Sequence, residues 1–188
     1  KKTGALLAEE TVGISERTLH ANWSSPALAT VGKEDIILFG AGDGFLYGFD
    51  PKPVVDAEGL NVLKELWRYD VNPPSYRMAD GKPVPYARRN GPSEIIATPV
   101  VHDGLACVAI GQDPEHGTGK GSLSCLSPAG KGDRSAAGPA WRFDGIGRSI
   151  STVAIADGLL VAADLSGRIY GLDAKSGKHL WTHDTGGH

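Results

Sequence analysis

The stretch SGRIYGLDAKSGKHLWTHD, Ser166 to Asp184, reads as a β-hairpin. Ile169, Gly171 and Asp173 alternate with Tyr170 and Leu172, which is the two-residue period of a half-buried strand. Asp173-Ala174-Lys175-Ser176-Gly177 then supplies polar turn chemistry and ends on a glycine, where positive φ costs little. A second strand restarts at His179-Leu180-Trp181-Thr182. Two further copies stand upstream. GDGFLYGFDP (Gly42 to Pro51) is followed by LKELWRYD (Leu63 to Asp70), and GSLSCLSPAG (Gly121 to Gly130) by PAWRFD (Pro139 to Asp144). The chain is therefore built from repeats.

Two more strands precede each hairpin. Ile95 to Val101 leads through Asp103-Gly104 to Leu105–Ile110, and Ile150 to Ile155 leads through Asp157-Gly158 to Leu159–Ala163. Asp-Gly between apolar runs is a strong short-range hairpin signal. In the first unit Ala27-Leu28 runs to a turn at Val31 to Asp35 and then to Ile36–Phe39. Each unit thus holds four strands, A to D, expected to pair in sequence as an antiparallel sheet, with Ala27, Ala97 and Ser151 on or near the innermost strands. The fold class is all-β, and four-stranded units of this kind are the blades of a β-propeller. The reading divides the chain into blades 13–70, 71–144 and 145–188, with residues 1–12 as an orphan D strand because Lys2-Thr3-Gly4 repeats the turn Lys175-Ser176-Gly177. Trp67 and Trp141 are 74 residues apart, and Trp141 and Trp181 are 40 apart, so the middle unit carries 34 extra residues. They fall at Val71–Ser93, Gln112–Lys120 and Pro128–Gly138, and the first two belong to one face of an up-and-down sheet. Only Val54 to Leu63 is assigned a turn or two of helix. Because propellers close with roughly 4 to 8 blades, the remaining blades or a second chain are the expected partners.

The chain has 188 residues, enough for a real core, and 26 glycines and 12 prolines in a 40% hydrophobic chain fit many turns between short strands. A net charge of -3 without basic runs gives no footprint for nucleic acid or an anionic membrane. No stretch approaches the roughly 18 apolar residues of a spanning helix.

Gly171-Leu172-Asp173-Ala174-Lys175-Ser176-Gly177-Lys178-His179-Leu180-Trp181 resembles the tryptophan-docking motif of the PQQ-like repeat, a small residue, x, Asp, x, x, Thr, Gly, Lys, x, x, Trp. Ser176 departs from the motif's Thr. The resemblance extends over essentially the whole chain, with its Asp-Gly turns and the pairs Ser25-Pro26 and Thr98-Pro99. It implies an exported, periplasmic or cell-envelope protein of bacterial type. It also implies structural roles for Trp67, Trp141, Trp181, Asp173 and Gly177, the tryptophans packing between blades. The family includes quinoprotein alcohol and sugar dehydrogenases and the scaffold subunit of the outer-membrane barrel assembly machinery, so the resemblance gives fold before function. The preferred function is a binding or protein-interaction scaffold without a cofactor. The alternatives are part of a quinoprotein dehydrogenase, which would use PQQ with calcium, and an extracellular sensor domain of a signalling protein. A dehydrogenase of this family would be expected to carry adjacent cysteines, and Cys107 and Cys125 are not adjacent.

No Ser-His-Asp set and no phosphate-cradling loop can be argued from the sequence, and no catalytic residue is assigned. Asp113, Glu115 and His116 offer two carboxylates and an imidazole in one loop, a weak candidate for a metal, although their spacing matches no metal signature. Connections between strands D and A bring His20, Asn22, Arg77, Arg88, Arg89, Asn90 and Arg148 to the same face. Arg88, Arg89, Asn90 and Arg148 form the candidate binding face, where arginines could hold an anion. Cys107 and Cys125 lie almost equidistant from the centre of their connecting loop, so they are expected opposite each other or one step off. Cys125 aligns with Gly48 and Gly171, small buried positions, and the reading prefers two buried thiols over a disulfide.

Overall fold

A computed structural model describes residues 3–20, 22–85, 89, 91–117 and 119–186. Three sheets are each built on four strands that follow one another in the chain. The first holds β1 (Ala27–Val31), β2 (Glu34–Gly40), β3 (Phe45–Phe49) and β4 (Glu65–Asp70); the second holds β5 (Val100–His102), β6 (Leu105–Ile110), β7 (Ser122–Leu126) and β8 (Trp141–Phe143). The third holds β9 (Ala154–Ala156), β10 (Leu159–Ala163), β11 (Arg168–Asp173) and β12 (His179–Asp184). Within each sheet the strands pair antiparallel in chain order. The hairpins form where the sequence places them. Asp103 and Gly104 take φ of 46° and 74°, and Asp157 and Gly158 take 50° and 77°. Positive φ at both central residues is the type I′ pattern, whose twist matches that of the flanking strands.

Alternation along β6 shows how the sheets stack. Ala106, Val108 and Ile110 join a core with Leu38, Leu46 and Trp67 of the first sheet. Cys107 and Ala109 point the other way, into a core with Leu160, Ala162 and Leu172 of the third. The middle sheet is therefore apolar on both faces, as an inner blade must be when each unit buries its faces only against its neighbours.

Three expectations are corrected. Val54 to Leu63 holds no helix: Val54–Val55 pairs antiparallel with Asn61–Leu63 around a turn capped by Asp56. The β-branched pair Val54-Val55 and Gly59 at φ 83° suit a hairpin better than a helical turn. Among the described residues of segment 1–12, only Glu9–Glu10 forms a strand, and it pairs parallel with Val62 and Leu63 of that hairpin instead of entering a blade. The third correction is chemical. Cys107 and Cys125 are joined by a disulfide. The β6–β7 register runs without a slip from Ala106↔Leu126 to Ile110↔Ser122, so the two cysteines stand directly opposite on one face with Cα atoms 4.0 Å apart. A bulge in the connecting loop could have separated them, but the ladder contains none. Titration of the denatured, unreduced chain is expected to find no free thiol, and two after reduction. About two before reduction would overturn the bond.

The insertion between β7 and β8 does more than connect them. Gly132–Asp133 pairs parallel with Trp67 and Arg68, adding a fifth strand to the first sheet and covering its edge. Asp133 Oδ2 accepts from Arg68 Nε at 3.1 Å, Ser135 Oγ accepts from Asp70 N at 3.0 Å, and the Arg134 guanidinium lies 5.4 Å from the Trp67 ring centre. The three motif tryptophans consequently have different surroundings. Trp67 is wholly buried and lies across Gly48, and Trp181 lies across Gly171 but is 41% exposed. Opposite Trp141 stands Cys125, not glycine. The Trp141 indole instead meets the β11–β12 turn, where its Nε1 donates to Ala174 O at 3.1 Å and its ring lies against Gly177. Gly177 takes φ 70°, and Asp173 Oδ1 anchors the same turn by accepting from Ser176 N and Oγ.

Candidate functional site

Residues from two of the middle unit's insertions, Val71–Ser93 and Gln112–Lys120, line one cleft. Val71–Ser93 holds a 3₁₀ turn, Pro74–Arg77, and a small hairpin, Met78–Ala79 with Lys82–Pro83. Its turn is Asp80-Gly81, again with both φ positive. The segment is pinned from behind. Asn72 Nδ2 donates to Ser93 O at 2.8 Å, Ser93 N donates to Asn72 Oδ1 at 2.9 Å, and Arg77 Nε donates to Asp70 Oδ2 at 2.7 Å. Tyr76 Oη donates to Gly121 O at 2.9 Å. Clefts flank the pinned segment. One, of about 180 Å³, lies between Tyr76, Met78 and Val84 on one side and Gln112, Gly119 and Lys120 on the other. The other, of about 530 Å³, runs between Pro74 to Met78 and the 135–142 stretch.

Beside the smaller cleft lies a buried polar knot. Glu94 and Gly111 are bridge partners, each donating its N–H to the other's carbonyl. The Asp113–His116 turn that follows sends His116 inward, where it is 2% exposed. Its Nδ1 lies 2.8 Å from Glu94 Oε1 and its Nε2 lies 2.5 Å from Nδ1 of His20, which arrives from 96 residues away. Glu94 Oε2 and Gln112 Oε1 are buried and have no hydrogen-bond partner among the described residues.

The sequence candidates separate in space. Asp113, Glu115 and His116 do not converge. Asp113 Oδ1 accepts from Glu115 N at 2.8 Å, Glu115 is exposed, and His116 turns inward. Among the described residues no three His, Cys, Asp or Glu side chains are placed to hold a metal ion together. Arg148 Nη1 donates to Gly117 O at 2.5 Å, tying the next unit to the same loop, and Arg89 is exposed on a turn. Arg88 and Asn90 lie outside the described residues. Asn22 Oδ1 accepts from Gly42 N, and Arg77 is paired with Asp70. Glu94 and Gln112 were not singled out from the sequence. The signal was there for Glu94: a carboxylate beside Ile95-Ile96 at the start of a buried strand needs a partner. The cysteines do not fit the quinone arrangement, since Cys107 and Cys125 are bonded across two strands inside the core.

No protein-family model and no curated protein matches the chain in sequence. Solved structures do match in fold. BamB from Moraxella catarrhalis aligns at 14% identity and a TM-score of 0.59 over 89% of this chain and 40% of its own. A quinohemoprotein alcohol dehydrogenase from Comamonas testosteroni aligns at 13% identity and 0.60, over 97% of this chain and 31% of its own. Sqt1 from Saccharomyces cerevisiae aligns at 15% and 0.52, over 88% and 36%. The first two are β-propellers, and at such identities the likeness shows the fold alone. The chain spans well under half the length of each of these structures. It is a partial β-propeller. No helix among the described residues is long and apolar enough to cross a membrane.

Proposed function

We propose that the chain is part of a PQQ-like repeat propeller that works as a binding or protein-interaction scaffold in the cell envelope. One observation carries the reading: the first part of the middle unit's D-to-A insertion, residues 71–84, which a four-stranded blade does not need, is pinned by hydrogen bonds with clefts on both sides and leaves Met78 46% exposed between them. Preorganised apolar surface framed by polar side chains favours recognition, because little ordering cost remains at the moment of binding. The buried Cys107–Cys125 disulfide supports an oxidising compartment and hence the envelope.

Photo-crosslinking in living cells tests the scaffold. A crosslinker at Met78 is expected to give a discrete adduct, and one at exposed Lys33, on the β1–β2 turn, none. Identical or absent labelling at both positions would overturn it. The second reading, part of a quinoprotein dehydrogenase, is favoured by the fold likeness to a quinohemoprotein alcohol dehydrogenase. Its test is dye reduction with PQQ, calcium and an alcohol or aldose. Turnover that depends on PQQ would displace the scaffold, and none is expected.

A further inference from the structure

Glu94 is a buried acid whose Oε1 lies 2.8 Å from His116 Nδ1 and whose second oxygen has no partner among the described residues. The neighbouring Gln112 Oε1 has none among them either. His116 engages Glu94 through Nδ1 and turns its Nε2 toward His20 Nδ1. A buried carboxyl group thus stands behind a histidine whose other ring nitrogen faces a nitrogen of a second imidazole. The carboxylate on the far nitrogen of His116 is also the arrangement that orients a metal-binding histidine, because it fixes the tautomer and makes the near nitrogen a better donor.

We infer that His116 Nε2 and His20 Nδ1 are the two protein ligands of a binding site for a divalent ion of the zinc class, with Glu94 orienting His116 from behind. Two imidazoles select zinc and its neighbours over calcium or magnesium, which take oxygen ligands. The nitrogens must part to roughly 3.3 Å so that each can reach an ion at about 2.0–2.1 Å. His20 supplies that movement: it is exposed, and His116 is its one hydrogen-bond partner among the described residues. With two protein ligands, the remaining positions fall to water or to a donor on a bound molecule, so the site is open. The inference does not depend on the scaffold reading.

Equilibrium dialysis of the untagged chain against Zn²⁺ is the test. One equivalent is expected to bind to the wild type and to be lost in His20→Ala, a change at an exposed side chain that should leave the circular dichroism unaltered. Glu94→Gln is expected to weaken zinc by about 10- to 100-fold. Excess Ca²⁺ should not displace it. Zinc uptake that is the same in His20→Ala as in the wild type would overturn the site, as would no uptake at about 1 mM free zinc, an affinity too weak for a specific site. Nitrogen NMR gives a readout apart from stoichiometry: zinc should shift the His116 Nε2 resonance and spare Nδ1. A His116 ring protonated on both nitrogens and indifferent to zinc would likewise overturn the inference.

Discussion

Gly121→Ala is expected to lower the unfolding free energy by about 3 kcal/mol or more, or to prevent folding, because overpacking against backbone cannot relax as it can against a side chain. A Cβ at Gly121 would lie 1.7 Å from Gly147 O and 2.7 Å from Ile146 O. Those carbonyls belong to the connection from β8 to β9, so the clash falls where the second unit meets the third. Gly111 makes the same kind of approach, 2.4 Å from Ser149 O. The two units therefore touch backbone to backbone near the innermost strands, which only glycine allows. Gly32→Ala is the contrast. Gly32 has φ 64° and nothing within 4 Å of its added Cβ, so that change should cost only about 1 kcal/mol of backbone strain. Chemical denaturation of both variants checks the ordering, and a Gly121→Ala protein within about 1 kcal/mol of the wild type would refute the close approach.

Local signals were read well. Asp103-Gly104 and Asp157-Gly158 became the turns their chemistry demands, because a type I′ turn is decided by two residues and their φ angles. Asp80-Gly81 carried the same signal inside the insertion, where flanks of two residues, Met78-Ala79 and Lys82-Pro83, are too short to show a strand pattern. The cysteine register was legible and the bond was not. Counting from the loop centre placed Cys107 beside Cys125, but choosing between opposite and one step off needs the whole ladder.

What the sequence hid is non-local. The 128–138 insertion looks like a polar loop, yet Gly132–Asp133 crosses to the first sheet and puts Arg134 over Trp67. No pattern within ten residues announces a parallel edge pairing 65 positions away. The knot is the extreme case. His20, Glu94 and His116 come from three separate connections: the sequence puts His20 and His116 on one face without bringing them into contact, and Glu94 reads as an ordinary strand residue. The middle unit departs from its neighbours at the same place. Asp43 with Tyr47 and Asp164 with Tyr170 latch the β2–β3 and β10–β11 turns, whereas Ser124 stands at the corresponding position of β7 and the longer loop folds around Glu94 instead.

Asp164→Asn is expected to cost about 3 kcal/mol at neutral pH, since each buried donor left unsatisfied costs about 1–3 kcal/mol. Oδ2 of Asp164 accepts from Tyr170 Oη at 2.7 Å and Gly147 N at 2.9 Å, and Oδ1 accepts from Ser166 N at 2.9 Å and Ser166 Oγ at 2.6 Å. An asparagine amide, whichever way it turns, sets its NH₂ against two of these donors. The latch ties the β10–β11 turn to strand β11 and to the β8–β9 connection, so its loss loosens the third sheet's hold on the second. Burial alone would raise the Asp164 pKa. The Ser166 and Tyr170 hydroxyls and the Gly147 and Ser166 N–H groups outweigh it and hold the carboxyl below its ordinary 3.8. A pKa lower in the folded than in the unfolded chain means that the ionised form is the stabilising one. Its contribution is complete at pH values above the unfolded pKa and is lost as pH falls through the folded one. The stability gap between wild type and Asp164→Asn should therefore stay constant from about pH 8 down to about pH 5 and narrow steadily below about pH 4. Asparagine does not titrate, so the narrowing comes from the wild type alone. Urea denaturation at stepped pH measures the gap, and a gap that persists undiminished to about pH 2 would show that the four hydrogen bonds do not depend on the charge.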